Sequence, residues 1–237
     1  MNLFSFFRSY TPKQKELLKY VRNYWGVSSG DLSWYENAIR HKSLIGSGRY
    51  EHTDCNERLE LLGDAVLDTV ITEYLFNKFP KKDEGFLTKL RSRIVNREML
   101  SQIGKTAQLH TVIQVRIGND DSMNKITGNA VEALIGAIYL DKGFNVAKKS
   151  ILDHFVKDYL DLESVIKESQ DFKSAFIEWA QQYKHKIRFE TNPSEENNQQ
   201  FECRIIVNEE LVAIGFEKSK KKAEQAASKE ASKILNF

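Results

Sequence analysis

From Pro12 to about Ile166 the apolar residues recur mainly three and four apart, the spacing that gathers them on one side of an α-helix. Leu59, Leu62, Val66, Val70 and Leu75 form one such stripe; Leu87, Leu90 and Ile94 form a second; Val131, Leu134, Ile135, Ile138 and Tyr139 form a third. The stretch from Asn129 to Leu140 is apolar nearly all round, as a helix enclosed by neighbours would be, and is predicted to be the buried central helix of an all-α domain. After Leu162 the pattern breaks. The polar run ESVIKESQ has no strong period and reads as a linker, 164–170. Beyond it a helix is expected from Phe172 to Tyr183, followed by period-two strands at Lys186–Glu190, Gln200–Val207 and Glu210–Phe216. Ser219 opens a last helix whose inward face is Ala223, Ala226, Ala227, Ala231 and Ile234. NPSEENNQQ, 192–200, reads as an exposed loop and Asn208 with Glu209 as a tight turn. The expected division is a helical domain over 1–163 and a small α+β domain, ordered α-β-β-β-α, over 171–237.

Composition adds limits. A chain of 237 residues with 41% hydrophobic and 11% aromatic side chains can bury two modest cores, which excludes a disordered chain. A net charge of +2 means that any charged function must come from local clustering. Cys55 and Cys203 lie far apart without metal spacing, and the five histidines are scattered, so neither a zinc site nor a disulfide framework is expected. No apolar run approaches a membrane span, and the opening MNLFSFFRSY is too short and polar for a signal peptide. A cytoplasmic protein without a membrane partner is expected.

Glu57, Glu60 and Asp64 stand three and four apart, so they project from one helix face beside an apolar stripe. Gly63, between them, costs a helix about 1 kcal/mol relative to Ala, which a surface selected for stability would not carry. Asn129 and Glu132 sit at the start of the most buried helix, where an ionised Glu needs a cation or donor. If the two helices face each other, Glu60, Asp64, Asn129 and Glu132 make an all-oxygen cage suited to a hard divalent ion, Mg²⁺ or Mn²⁺.

These residues also carry a resemblance. NERLELLGDAVL (56–67), DEGFLTKLRSRIVN (83–96) and GNAVEALIGAIYLDKG (128–143) resemble, in order, the three signature segments of the ribonuclease III family, and AIRHKS (38–43) resembles a fourth conserved segment. The resemblance implies a homodimeric, Mg²⁺-dependent endonuclease, with Mn²⁺ able to substitute, that cuts double-stranded RNA to 5′-phosphate and 3′-hydroxyl ends and takes no small-molecule substrate. By motif position Glu60, Asp64 and Glu132 match metal ligands, Glu57 a supporting acid, and Glu84 an acid near the scissile bond. Arg91 and Arg93 are read as phosphate or, preferentially, structural ion-pair partners. Asn129 stands where most members have an aspartate, so the cage has one charge fewer. Leu61 replaces a phenylalanine that in many members enters the partner subunit.

At the other end of the chain KSKKK, 218–222, places lysines at a helix N-terminus, where the dipole disfavours them unless an anion is bound. GFEKSKKKAEQAA (215–227) resembles the closing motif of double-stranded-RNA-binding domains. The resemblance implies that Lys220, Lys221 and Lys222 meet phosphates across a major groove while Glu178 and Gln181, on the preceding helix, face a minor groove. Two functions compete: a double-strand-specific endoribonuclease acting on ribosomal and other structured precursor RNAs, and a duplex-holding structural protein with little cleavage, for which Asn129 is the main support.

Overall fold

A computed structural model describes residues 10–45, 50–116, 122–169, 172–194 and 199–236. The chain parts into two compact units between Ser169 and Gln170. The first is helical: α1 (Pro12–Trp25), α2 (Leu32–Ala38), α3 (Glu57–Lys78), α4 (Glu84–Ile94), α5 (Arg97–Thr106), α6 (Met123–Lys142), α7 (Phe144–Ser150), a π-helical stretch Ile151–Tyr159, and α8 (Leu162–Ser169). Among the described residues no helix is long and apolar enough to cross a membrane.

The expected central helix is α6, which packs against α2, α3, α5 and α7 and buries Val131, Leu134, Ile135 and Ile138 completely. It starts six residues before the apolar run that revealed it. Ser122 caps it, its hydroxyl accepting from Lys125 N at 3.4 Å, and the opening residues Met123 and Asn124 are exposed, so the hydrophobic pattern does not report the start. The apolar stripes of α3 and α4 face the same core through Leu59, Val66, Val70, Leu75, Leu90 and Ile94.

The linker expectation is corrected. Leu162 through Ser169 is helix α8, packed on α4, with Val165 only 4% exposed. Two apolar residues in a polar run suffice to seat a helix of two turns, and a window dominated by charge hides them.

Two polar tethers hold the helices in register. Asp141, with its side chain 4% exposed, accepts from Gly30 N at 2.8 Å, Asp31 N at 2.9 Å and the Tyr35 hydroxyl at 2.9 Å, tying the approach to α2 to the end of α6. In segment 38–43, Gln114 N donates to Ile39 O, His41 N to Gln114 O, and Asn56 N to Arg40 O at 2.8–3.0 Å. Arg40 itself is buried and donates to Asn37 Oδ1 and Asp54 O, each at 2.7 Å. This places Lys42 beside the first turn of α3.

The second unit is α9 (Phe172–Gln182), β1 (Ile187–Pro193), β2 (Phe201–Val207), β3 (Glu210–Glu217) and α10 (Lys220–Leu235), the expected α-β-β-β-α order. The sheet is antiparallel in the order β1-β2-β3. Asn208 and Glu209 have φ of 49° and 71°, the left-handed pair that matches the twist of a two-residue hairpin. Lys186 N donates to the Asn208 side-chain oxygen at 3.0 Å, which steadies this turn. Two expectations are corrected. Asn192 and Pro193 are paired with Glu202 and Phe201 as the end of β1, and Ser194 is buried, so the loop is shorter than NPSEENNQQ; 195–198 lie outside the described residues. Ile234 is 59% exposed, and the buried face of α10 is Ala223, Ala227, Ser228 and Ala231.

Candidate active site

α3 and α6 cross backbone to backbone. A Cβ on Gly63 would fall inside the Glu132 carbonyl group and 2.8 Å from Gly136 N, and one on Gly136 would collide with the Leu59 carbonyl. The glycine that looked misplaced in an acidic helix is therefore the contact point. Because the backbones touch at 63 and 132, Glu60, one turn before Gly63 on α3, and Asp64, immediately after it, flank Glu132 on α6.

The electrostatics follow from that approach. Burial pushes the half-buried Glu132 carboxyl up to about 8, the charges of Asp64 and Glu60 push it the same way, and Arg97 pulls it back. Glu60 is raised by burial and by Glu57; the Asn129 amide, directed at it from α6, favours its charged form, as do Lys42 and Arg97. Asp64 is raised by burial and by Asp68. Glu57 opens α3 with its side chain 48% exposed and pairs with Lys42 at 2.9 Å.

Glu60, Asp64, Asn129 and Glu132 are thus brought to one crossing, with Glu57 at its edge. Glu84 is not brought in by any described contact: it is exposed at the start of α4 and accepts from the Thr88 hydroxyl at 2.9 Å. Arg91 donates to the Thr72 hydroxyl at 3.3 Å, a hydrogen bond to a neutral group in place of the ion pair expected of it.

Hard oxygen donors that repel one another fit a divalent cation chemically. Their spacing is open: among the described residues no three carboxylate, imidazole or thiol side chains are gathered closely enough to hold a metal ion. Two charged neighbours escaped the sequence reading. Asp68, one turn beyond Asp64, has a buried Oδ1 with no hydrogen-bond partner among the described residues and raises both Asp64 and Glu132. The i+4 offset from Asp64 was a signal for it. Arg97, on α5, had no local signal, since only the packing of α5 on α6 makes it a neighbour.

In the second unit Glu178 and Gln181 are exposed on α9, and Lys220, Lys221 and Lys222 are exposed on the first turn of α10. Lys222 N donates to the capping Ser219 hydroxyl at 3.4 Å, so not every first-turn N–H is open to an anion. Lys220 Nζ lies 5.9 Å from the Phe201 ring centroid.

Comparison with known proteins agrees with both halves. Residues 31–159 match the family described as Ribonuclease-III-like, and residues 172–235 match the double-stranded RNA binding motif. The chain is 37% identical to ribonuclease 3 of Zunongwangia profunda over 87% of its own length and 86% of the relative's. It is 35% identical to ribonuclease 3 of Azobacteroides pseudotrichonymphae over 96% and 88%. Among solved structures, the nuclease domain of ribonuclease III from Campylobacter jejuni, described with flexibility in a region involved in dimer formation, is 35% identical with a TM-score of 0.54, covering 60% of this chain and 98% of that one.

Proposed function

The chain belongs to the ribonuclease III family and is a double-strand-specific endoribonuclease, and we propose that it hydrolyses RNA at the crossing of α3 and α6. Glu60, Asp64, Glu132 and the Asn129 amide oxygen hold the divalent cation, Mg²⁺ or Mn²⁺, with Glu57 and Glu84 as outlying acids. When bound, such an ion supplies an activated water and offsets the charge of the leaving oxygen. The chain's own part is to hold four oxygen donors on two helices that cannot slide and to limit the water around Glu132. The observation that carries the reading is the pairing of Glu132 with Glu60 and Asp64 across helices pressed together at Gly63 and Gly136.

Lys220, Lys221 and Lys222 supply phosphate contacts, and Glu178 and Gln181 the groove contacts, of the duplex-binding unit. The products carry 5′-phosphate and 3′-hydroxyl ends, and the substrates are ribosomal and other structured precursor RNAs in the cytoplasm. Two copies act together, a reading supported by Leu61 and Phe76, 75% and 67% exposed along α3. Nothing in the structure favours the alternative of a silent duplex-holding protein, since the Asn129 amide faces Glu60 and the acids keep their repulsive arrangement.

The test is a long RNA duplex incubated with the full chain in Mg²⁺ or EDTA. Shortening is expected only with metal, and Glu132→Gln is expected to lower it at least about 100-fold while the variant still retards intact duplex. Cutting that survives EDTA, or survives Glu132→Gln, sinks the assignment.

A further inference from the structure

The α3–α6 crossing has beside it a cation that its carboxylates do not engage. α5 opens at Arg97, behind Asn96, whose side chain caps the helix by accepting from Met99 N at 2.8 Å. Its first turn rests on α6 next to Asn129: a Cβ on Gly128 would lie 3.4 Å from the Arg97 carbonyl oxygen and 3.5 Å from Ser101 N. The Arg97 side chain is exposed and close enough to Glu60 and Glu132 to favour their charged forms, yet among the described residues it makes no ion pair with either.

The surrounding cations behave differently. Lys42 is paired with Glu57 at 2.9 Å, Arg40 is buried on Asn37 and the Asp54 carbonyl, and Arg91 is bonded to Thr72. A guanidinium whose purpose was to neutralise the acids would close on a carboxylate as a two-pronged fork. Arg97 instead stands off, anchored at its backbone and free at its tip. The group that complements both sides of that gap is an anion with two oxygens, one for a cation held by the acids and one for the guanidinium. A phosphodiester has both.

We propose that Arg97 grips a non-bridging oxygen of the phosphodiester to be cut, positioning the RNA strand against the acids of α3 and α6. This rests on the reading of that crossing as the active site. A guanidinium suits the task because it stays charged at every working pH and presents paired donors in a fixed plane.

The test uses the full chain with three readouts: steady-state cutting of a defined RNA duplex in Mg²⁺, Mn²⁺ binding without RNA followed by electron paramagnetic resonance, and the melting temperature. Arg97→Ala is expected to lower kcat/KM roughly 10- to 100-fold. Arg97→Lys is expected to recover only part of it, since a point charge cannot replace the fork. Mn²⁺ affinity is expected to stay the same or tighten a few-fold, because a like charge has left the neighbourhood. Melting should not change, the side chain being exposed. Wild-type kinetics in Arg97→Ala would overturn the proposal. So would Mn²⁺ affinity falling together with activity, which would make Arg97 a support for the acids rather than a contact for RNA. Wild-type cutting that ignores EDTA would overturn the active-site reading itself, so the two failures are told apart before any variant is made.

Discussion

In the metal-free protein Glu132 takes up a proton near pH 8, because burial and the charges of Asp64 and Glu60 act in one direction. In the unfolded chain the same carboxyl ionises near 4.3. Between those values the folded state holds a proton that the unfolded state has lost, so the stability contributed by this residue falls as pH rises through the interval. Below it there is no penalty; above it the penalty is complete. Glu60 and Asp64, raised for the same reason, add to the trend. Glu132→Gln should therefore melt with the metal-free wild type at pH 5 and above it at pH 8. Solvent screening at a half-buried group holds the gap to about 1–2 kcal/mol, roughly 2–6 °C. Addition of Mn²⁺ at pH 8 should raise the wild type and leave the variant unmoved. Parallel melting curves across pH 5–8 would mean that Glu132 is ionised at its ordinary pH. At this scale the sequence was informative where spacing along one helix carries the chemistry, as for Glu57, Glu60 and Asp64. It was silent on Arg97, because the approach of α5 to α6 is not written in a local pattern.

The elements that position these residues depend on two glycines more than on apolar stripes. Gly63 and Gly136 allow α3 and α6 to touch through backbone atoms, with no flexible side chain between them to absorb an intrusion. Gly63→Ala should therefore force the helices apart, costing about 2–4 kcal/mol in spite of alanine's better helix propensity, and should lower Mg²⁺-dependent cutting as Glu132 recedes from Glu60. Gly85, in the first turn of α4, is the contrast. A Cβ there meets only Asp83 Oδ1 at 3.7 Å, so Gly85→Ala should leave the melting temperature unchanged or raise it slightly. Equal melting of the two variants would refute the close-contact account. The order of helices and strands was legible because each buries a face with a regular period. What was lost lay at element ends: the start of α6 at the exposed Met123 and Asn124, the short α8 seated by Val165, and the strand pairing of Pro193, where polar composition outweighed two or three buried positions.

At the scale of the whole molecule the charges nearly cancel, +2 in all, and the duplex-binding unit has as many acidic as basic residues. Affinity for a polyanion must therefore come from segregation. Lys173 is taken by Glu224 at 2.7 Å, Lys233 by Glu230 at 2.7 Å, and Arg188 by Glu190 at 2.9 Å, whereas Lys221 and Lys222 form no described ion pair and Lys220 leans on Phe201. The opening of α10 is then where counter-ions would be displaced by phosphates, helped by the positive end of the helix dipole. Replacing Lys220 and Lys221 together by Ala, in a Glu132→Gln background so that the RNA stays intact, should weaken duplex binding about 10-fold or more near 0.1 M salt. It should also reduce the slope of log affinity against log salt by about two. The slope matters more than the affinity. A fold defect would weaken binding at every salt concentration by one factor, whereas loss of two phosphate contacts changes how steeply salt competes. An unchanged slope with weakened binding would remove these lysines from the interface and move the phosphate contacts to another face of the unit.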